Sequence, residues 1–272
     1  MTTEDFDYVR GFVRERSAIV LEPGKEYLVE TRMQSMARRE NFDSVQTMIG
    51  KLRLGLDKEL NRKIVEAMTT NETSFFRDIH PFEALRKTIL PELIVRNAKT
   101  RQLNFWCGAA STGQEPFSVM MLIAQHFPEL LTWNIKFVAT DLSCEVLAKA
   151  RAGRFSQLEV NRGLPASVLV KYFVRHGGDW EFCDDLRRRV EFREMNLVKE
   201  WPYLPPLDIV FLRNVMIYFD MESKKSILGK IRALLRPGGV LLLGGAETTF
   251  NIDDSFERRL IEKTTCYHVK QK

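Results

Sequence analysis

The amino-acid sequence predicts an α/β protein in which a small all-helical domain precedes a doubly wound, mostly parallel sheet. The first 70 residues space their apolar side chains as helices do, and they show no alternation typical of strands. From about residue 102, short apolar runs alternate with amphipathic stretches, which is typical of parallel strands joined by helices. The segment between residues 154 and 190 fits neither pattern and is too long for an ordinary connection.

Four helices are predicted in the N-terminal region. The first is EDFDYVRGFVRERS, which places Phe6, Val9, Phe12 and Val13 on one face. The others run from Lys25 to Glu40, from Asp43 or Ser44 to Leu52, and from Asp57 onward. Their apolar faces are sufficient for a small helical domain.

The predicted strands and helices alternate through the rest of the chain. The strands are LNFWC, IKFVAT, VEFREM, DIVFLRN, VLLLGGA and a closing strand near TTCYHV. The helices between them are EPFSVMMLIAQHF, EVLAKARAG and ESKKSILGKIRALL. The segment that does not fit contains a helix-like stretch, LPASVLVKYF, and the turn sequence HGGD, which indicates a hairpin. We therefore expect an inserted antiparallel β-subdomain at about residues 172–192.

Composition indicates an intracellular protein. The chain begins with the polar stretch MTTEDFDYVR, and no apolar run reaches the roughly 18–20 residues of a membrane span. Its four cysteines are scattered without a C-x-x-C pair, so we expect neither disulfides nor a metal site. The net charge of +5 is compatible with an anionic partner, nucleic acid included.

The loop CGAASTGQEP follows the first predicted strand and has the G-x-x-x-x-G spacing of a phosphate-binding loop. The lysine that should follow the second glycine is missing, and Gln114 and Glu115 stand there instead. An acid at this helix start suits a positively charged ligand without phosphate, such as S-adenosylmethionine. The alternative is that Glu115 is an ordinary first-turn residue that stabilises the helix dipole.

A second acid, Asp141, closes the second predicted strand in KFVATDLS. Doubly wound nucleotide-binding folds place an acid there to accept hydrogen bonds from ribose hydroxyls. A helix-capping role is the alternative, although Ser143 also stands in position to cap the next helix. Two acids at adjacent strand ends favour binding of an adenosyl ligand.

Five motifs resemble those of the chemoreceptor protein-glutamate O-methyltransferases, the CheR family, and the resemblance covers nearly the whole chain. They are TTNETSFFRD (69–78), WCGAASTGQEPFS (106–118), ATDLS (139–143), RNVMIYFD (213–220) and LRPGGVLLLGGAE (235–247). The first and fourth are highly specific together, whereas LRPGG alone indicates only a methyltransferase-like fold. The resemblance implies a Rossmann-like, doubly wound sheet that binds S-adenosylmethionine, with an N-terminal helical domain and the inserted subdomain. The expected divisions are residues 1–70, a linker at 71–85 that contributes to the cofactor site, and a methyltransferase domain at 86–272.

The resemblance also implies the residues of the site. Those expected to bind the cofactor are Asn71, Thr73, Arg77, Glu115, Asp141, Asn196, Leu197, Arg213 and Asn214. Arg77 and Tyr218 are the expected catalytic residues; the alternatives are a structural ion pair of Arg77 with Asp78 or another acid, and Tyr218 as a plain core aromatic. The family often has a second acid at position 114 and a G-H-S-E run where this chain has GGAE, but Glu115 and Glu247 are both kept.

The implied reaction is methylation of a receptor glutamate side chain to a γ-methyl ester for chemotactic adaptation, with S-adenosylhomocysteine as product and no metal. Arg32, Arg38 and Arg39 on the second predicted helix are the expected docking site for acidic receptor methylation helices; a solvated charged face is the alternative. Some relatives also bind a receptor C-terminal peptide through the inserted subdomain, and the compact segment 175–189 does not decide this.

The enzyme is expected in the cytoplasm, recruited to membrane receptor arrays without inserting into the membrane. A nucleic-acid methyltransferase is the main alternative, but the [DN]-P-P-[YF] motif of amino-methylating DNA enzymes is replaced here by RNVMIY. We therefore expect no nucleic-acid partner. A non-catalytic adaptor that binds S-adenosylmethionine is the other alternative.

Overall fold

The computed structural model describes residues 1–270 and contains two compact units. The first comprises residues 1–70 together with residues 218–224. The second comprises residues 71–217 and the chain from Lys225 onward.

The first unit confirms the predicted helical domain. Its helices are α1 (Thr3–Ser17), α2 (Glu26–Arg39), α3 (Val45–Leu54) and α4 (Lys58–Ala67). Helix α1 buries the four apolar residues that the sequence places on one face. Ser44 caps α3 by accepting a hydrogen bond from the N–H of Thr47 at 3.0 Å, and Asp57 caps α4 by accepting from the N–H of Leu60 at 2.9 Å.

The second unit begins with an irregular strap, residues 71–79, that leads into a helix of three consecutive segments. These are α5 (His80–Ala84), a π-helical turn (Leu85–Ile89) and α6 (Leu90–Asn97). Pro81 and Pro91 lie in the first turns of α5 and α6, where a missing N–H is tolerated.

Ten strands occur among residues 1–270. They are β1 (Gln102–Gly108), β2 (Asn134–Asp141), β3 (Arg154–Phe155), β4 (Phe173–His176), β5 (Asp179–Phe182), β6 (Val190–Glu194), β7 (Leu207–Leu212), β8 (Leu235–Leu243), β9 (Phe256–Ile261) and β10 (Thr264–Val269). Seven of them form one sheet in the order β6-β2-β1-β7-β8-β10-β9. The first five strands in that order are parallel, and β10 is antiparallel to both of its neighbours. The predicted doubly wound sheet is thereby confirmed.

The sheet contains one strand that the sequence analysis missed. Strand β9 reads FERRLI, and its charged residues Glu257, Arg258 and Arg259 interrupt the apolar pattern. It lies at the edge of the sheet and pairs only with β10 among the described strands, so charged side chains reach water there.

Helices connect the strands of this unit. They are α7 (Gln114–His126), α8 (Cys144–Ala152), α9 (Gln157–Asn161), α10 (Ala166–Tyr172), α11 (Asp184–Arg187) and α12 (Met221–Leu234), whose first residues belong to the helical unit. Helix α7 is buried along nearly its whole length, and aromatic rings from β1, β2 and β7 fill the core beside it.

The inserted antiparallel subdomain is a three-stranded sheet in the order β3-β5-β4. Strands β4 and β5 form the predicted hairpin, which turns at Gly177 and Gly178. The sheet also uses residues 154–155, which precede the expected range of about 172–192, whereas Val190 already belongs to β6 in the main sheet. Strand β3 has only two residues, and its Phe155 pairs with Trp180, 25 residues further along the chain. No local sequence pattern therefore predicts this strand.

Four parallel strands, β2, β1, β7 and β8, end at the same edge of the main sheet, which is where ligands bind in folds of this type. The opposite edge contains the fully buried Asp208, the second residue of β7. Its carboxylate accepts hydrogen bonds from Arg96 at 3.1 Å and Asn97 at 3.2 Å on one oxygen. The other oxygen accepts from the N–H of Asn104 at 2.9 Å and from Arg236 at 3.0 Å.

Candidate functional site

The loop between β1 and α7 has a strained backbone that the neighbouring strand holds in place. Ala109, Ser111 and Gly113 have φ values of 53°, 51° and 92°. Positive φ costs free energy for a residue with a side chain, and such residues are concentrated at ligand sites. The N–H of Ala110 donates to the carbonyl of Thr140 at 2.9 Å. The loop is thus shaped by a backbone contact to β2.

Gly113 allows this loop to pack closely on its surroundings. A Cβ at this position would lie 3.1 Å from atoms of Ala150 and Phe117 and 3.3 Å from the ring of Phe192. Together with the positive φ, these contacts require glycine. The start of α7 is therefore fixed at the mouth of the strands, as the sequence analysis expects of the loop.

Asp141 holds the loop from the end of β2. One carboxylate oxygen accepts the N–H of Ser111 at 2.8 Å, and the other accepts the N–H of Ser143 at 3.0 Å. The hydroxyl of Ser143 accepts the N–H of Val146 and caps α8. Capping is thus done by Ser143, whereas the buried Asp141 joins the loop to the turn before α8.

Three charged residues form a cluster beside the loop, and two of them, Arg213 and Glu115, are largely buried. The guanidinium of Arg213, which directly follows β7, pairs with Glu115 through one amino group. Through the other it bonds the carboxylate of Asp78 at 2.8 Å and the carbonyl of Arg77 at 3.0 Å. Only 2% of the Arg213 side chain and 12% of the Glu115 side chain are exposed, whereas the Asp78 side chain is 58% exposed to water. The loop itself contains no cation, but Arg213 at the end of β7 pairs with Glu115 at the start of α7.

The cluster keeps a net charge of −1, because two carboxylates surround one guanidinium. Burial alone lowers the pKa of Arg213, but the neighbouring Glu115 and Asp78 offset this, and its pKa lies above the ordinary value. Burial and the Glu115 carboxylate raise the pKa of the Cys107 thiol well above its usual range. Cys107 is therefore a neutral thiol that donates to Glu115 over 3.3 Å.

Glu247 organises the neighbouring ends of β7 and β8. Its buried carboxylate accepts four backbone N–H groups, from Asn214 at 2.8 Å, Met216 at 2.7 Å, Ile217 at 3.3 Å and Gly244 at 2.6 Å. Asn214 has a φ of 57°. Its side-chain oxygen is buried and has no hydrogen-bond partner among residues 1–270.

The strap before α5 is bonded to the loop and to α7. The hydroxyl of Ser111 donates to the carbonyl of Asn71 at 2.7 Å, and the N–H of Phe76 donates to the hydroxyl of Ser118 at 2.9 Å. Arg77 is half-buried and donates to the carbonyl of Glu72 at 3.1 Å. Thr73, another half-buried residue, lies between these anchors.

Asn196 and Leu197 follow β6 and lie next to the end of β2. The N–H of Met195 donates to the carbonyl of Asp141 at 2.9 Å. Because Met195 directly precedes Asn196, Asn196 and Leu197 lie close to Asp141. The side-chain oxygen of Asn196 accepts the N–H of Val198 at 3.1 Å, and Leu197 is buried. The second unit therefore brings the expected residues to the ends of β1, β2, β6 and β7.

Comparison with known families and proteins decides what kind of enzyme this is. Residues 4–69 match the family model "CheR methyltransferase, all-alpha domain" and residues 71–265 match "CheR methyltransferase, SAM binding domain". The chain belongs to the CheR methyltransferase family. It is 40% identical over 271 residues to chemotaxis protein methyltransferase 1 of Pseudomonas aeruginosa, covering 98% of each chain. Identity to chemotaxis protein methyltransferases of Pseudomonas putida and Vibrio parahaemolyticus is 37%, covering 98% of each chain for the first and 95% and 94% for the second. The CheR chain is thus a methyltransferase of chemotaxis that uses S-adenosylmethionine.

S-adenosylmethionine fits the residues at the strand ends. The cluster of Arg213, Glu115 and Asp78 has a net negative charge, which complements the ammonium and sulfonium of this ligand. The unpartnered oxygen of Asn214 is a buried acceptor that a ligand N–H or O–H can satisfy. Arg213 itself bonds protein groups through both amino nitrogens, so it positions Glu115 more than it contacts a ligand.

The expected docking residues lie on α2 of the helical unit and differ in their surroundings. Arg32 is half-buried and donates to the carbonyl of Met68 at 2.7 Å and to the hydroxyl of Thr70 at 3.0 Å. Burial lowers its pKa below the ordinary arginine value. Arg38 and Arg39 are exposed. Arg32 therefore holds the end of α4, and the other two remain accessible.

Tyr218, the expected catalytic tyrosine, is part of the helical unit. Tyr218 ends a 3-10 turn and is half-buried, and its carbonyl accepts the N–H of Val20 at 2.9 Å. The sequence analysis missed the role of Asp78, which pairs with Arg213 and not with its neighbour Arg77. Its position at the end of the motif TTNETSFFRD was the available signal.

Residues 1–270 contain neither a membrane-spanning helix nor a cluster of side chains suited to a metal ion. No helix there has the length and apolar character needed to cross a bilayer. In the same residues, no group of three or more His, Cys, Asp or Glu side chains is arranged to hold a metal ion.

Proposed function

We propose that this CheR methyltransferase esterifies glutamate side chains on the cytoplasmic methylation helices of bacterial chemoreceptors and so serves adaptation. The observation that carries the proposal is the charged cluster at the loop after β1, in which a largely buried Glu115 and an exposed Asp78 outnumber Arg213, within a chain of this family. The enzyme would act in the cytoplasm, where receptor arrays recruit it.

Methylation of a carboxylate requires no proton transfer by the protein. Bound S-adenosylmethionine supplies a methyl group that is open to nucleophilic attack. A glutamate side chain with a pKa of about 4.3 is already ionised at neutral pH, so no general base is needed to activate it. For the same reason we propose that the transfer uses no metal. The protein must hold the two reacting groups in line and exclude water, which raises the attraction between opposite charges.

We assign the cofactor to the residues at the strand ends. Glu115 offers a carboxylate to the ligand's ammonium while Arg213 fixes its orientation, and Asp141 offers acceptors to the ribose. Asn196 and Leu197 line the part of the site that holds the adenine, and Asn214 contributes its unpartnered oxygen. Asn71 and Thr73 of the strap cover the loop, to which Asn71 is bonded through Ser111.

Arg77 and Tyr218 are proposed as the residues nearest the reacting groups. Arg77 donates to one backbone carbonyl and keeps further N–H donors for a carboxylate, which a guanidinium bonds in a fork. Tyr218 would pack against the methyl group or donate a hydrogen bond. Arg77→Ala should abolish most activity and keep the fold, and Arg77→Lys should rescue it only partly, because lysine retains charge without the fork. Normal turnover of Arg77→Ala would remove this residue from the mechanism.

The test of the function is a transfer assay with S-adenosylmethionine labelled in the methyl group and receptor-bearing membranes. Incorporated label should be released as methanol by mild alkali, because carboxyl methyl esters hydrolyse and N-methyl groups do not. Receptors with the modified glutamates changed to alanine should take up no label. Alkali-stable label would contradict ester formation, and binding of S-adenosylmethionine without any transfer would indicate the adaptor alternative.

Receptor docking is proposed for the exposed arginines of α2. Arg38→Glu with Arg39→Glu should raise the receptor KM about tenfold or more and leave affinity for S-adenosylhomocysteine unchanged, because exposed charges steer an acidic partner. The matched control is charge reversal at Arg10, an exposed-face residue of α1 that pairs with Asp7. Equal KM values in the double variant and the control would contradict docking on α2.

A receptor C-terminal peptide is proposed to add to the inserted sheet at β4. This strand is the edge of the order β3-β5-β4, and its Val174 side chain is 68% exposed. An extended peptide can pair with such an edge through main-chain hydrogen bonds. Bonded and unbonded pairs alternate along β4 and β5, and the N–H of Cys183 donates to the carbonyl of Tyr172, so the N–H of Arg175 faces the free side of β4. Titration of the receptor's C-terminal peptide against an Arg175→Pro variant, which loses that N–H, tests this contact; unchanged affinity would exclude β4.

A further inference from the structure

A cavity in the methyltransferase unit shares Asp78 and Arg213 with the charged cluster of the proposed cofactor site. It has a volume of about 230 Å³ and lies at the carboxyl ends of β7 and β8, against the start of β10. Its lining includes Arg213, Gly244, Lys263 and Thr264, but none of the loop residues after β1. Pockets for drug-sized ligands have roughly 300–1,000 Å³, so this smaller recess suits a single side chain. We call it the β7–β8 recess.

Two residues of the recess carry buried hydrogen-bond donors that the protein does not use. The Nε of Arg213 and the hydroxyl of Thr264 are both buried and have no partner among residues 1–270. Lys263, in the turn between β9 and β10, lines the same recess and has no ion-pair partner in the described part of the chain. Unpaired buried donors are rare in native structures, because each loses its hydrogen bonds to water.

The acids in the recess are already committed to protein groups. Asp78 pairs with Arg213, and the carboxylate of Glu247 accepts four backbone N–H groups. His80, a further lining residue, can donate from its ring. The groups left for a ligand are therefore donors and one uncompensated ammonium, which together suit an oxyanion.

We propose that the β7–β8 recess binds a carboxylate of the substrate segment other than the one that is methylated. The Lys263 ammonium and the unpartnered donors of Arg213 and Thr264 suit an anion that stays ionised throughout, whereas Arg77 is proposed for the carboxylate that reacts. The inference rests on the proposed function, because it makes the substrate an acidic segment with at least two carboxylates. Lys263 and Thr264 then act as specificity residues.

Binding of the anion can be measured without methyl transfer. The probe is N-acetylglutamate amide, whose only ionised group is the side-chain carboxylate, followed by NMR on protein labelled at threonine methyl groups. Thr264 and Thr265, which both line the recess, should shift in a saturable way. The uncharged probe N-acetylglutamine amide should shift neither resonance. Inorganic phosphate is titrated in parallel, since a free anion is the other source of the same chemistry.

Lys263→Met and Thr264→Val should each weaken binding of the charged probe by about tenfold, because each removes a donor to an ionised group. Lys99→Met, at an exposed lysine before β1 at the opposite edge of the sheet, is the matched control and should leave binding unchanged. Absence of a shift, binding by both variants as tight as by the wild type, or binding of phosphate in place of the glutamate probe would each overturn the proposal.

Transfer kinetics test the same site through the substrate. A peptide with a second glutamate near the methylated one should have a lower KM than its glutamine counterpart in the wild type. The difference should vanish in Lys263→Met with kcat unchanged. If the probe binds and no peptide is methylated, the recess stands and the proposed function fails. If peptides are methylated and the probe does not bind, the recess is overturned and the function stands.

Discussion

The two ends of strand β7 hold buried charge in opposite ways. At the amino end, one acid, Asp208, lies between two arginines and accepts four hydrogen bonds from protein groups. At the carboxyl end, one arginine, Arg213, lies between two acids, and its Nε remains without a partner among the described residues. The first cluster has a net positive charge and the second a net negative one.

This contrast separates structural charge from charge kept for a ligand. The arginines around Asp208, Arg96 and Arg236, have 35% and 30% of their side chains exposed, so water shares the cost of burying the ions. Arg213 has only 2% exposed, and nearby Asn214 keeps a buried oxygen without a partner. A buried charge whose hydrogen bonds are all made by protein groups, as for Asp208, indicates a role in folding. Buried polar atoms that lack a partner beside a strained loop, as in Arg213 and Asn214, indicate a role in binding.

The largest expected effect is that of Arg213→Met. It leaves the largely buried Glu115 without its cation, and removing one partner of a buried pair costs about 3–5 kcal/mol, whereas the exposed Asp78 is solvated and adds little. We expect a loss of that size in the free energy of unfolding by urea, together with loss of S-adenosylhomocysteine binding in calorimetry. Arg236→Met is the control, because Asp208 keeps Arg96. Equal destabilisation by both variants would break the comparison.

At the amino end, Asp208→Asn should destabilise the fold without touching binding. The amide cannot pair with the two arginines, and loss of charge-assisted hydrogen bonds from a buried carboxylate costs about 2–3 kcal/mol. Urea denaturation should show that loss, whereas calorimetry should give an unchanged affinity for S-adenosylhomocysteine. A large fall in affinity would mean that the two ends of β7 are coupled.

Glu115→Gln sharpens the comparison at the carboxyl end. Arg213 keeps Asp78, so the fold should survive, but the net charge of the cluster changes from −1 to zero. We expect affinity for S-adenosylhomocysteine to fall about ten- to a hundredfold, the effect of losing one charge-assisted hydrogen bond. Methylthioadenosine, which lacks the amino-acid part, should bind both forms equally. A parallel fall for both ligands would contradict the placement of Glu115 at the ammonium.

Much of this arrangement could be predicted from sequence, because its signals are local. The apolar runs predicted the strands, and Glu115 and Asp141 stand directly after two of them. The pairing of Glu115 with Arg213 could not be predicted, since 98 residues separate them and only the order of β1 beside β7 brings them together. The same holds for Asp208 and Arg96, at a separation of 112 residues.

Helical spacing also predicts which side chains share a face, but not which of them the fold uses. Arg32 and Arg39 are both on the predicted docking face of α2. Arg32 donates to the end of α4, a contact across 36 residues that no spacing rule contains. The unpartnered donors of the β7–β8 recess could not be anticipated for a similar reason. A hydroxyl without a partner is a property of packed neighbours and not of Thr264 itself.

The smallest expected effect compares two buried threonines of the same sheet. The Thr140 hydroxyl accepts the indole N–H of Trp106 at 3.0 Å, whereas the Thr264 hydroxyl has no partner among residues 1–270. Thr140→Val leaves the indole unpaired and should cost about 1–3 kcal/mol in urea denaturation. Thr264→Val removes a desolvated hydroxyl at constant shape and should change stability by less than about 0.5 kcal/mol, or increase it. If Thr264→Val costs as much as Thr140→Val, this hydroxyl supports the fold and is not kept for a ligand.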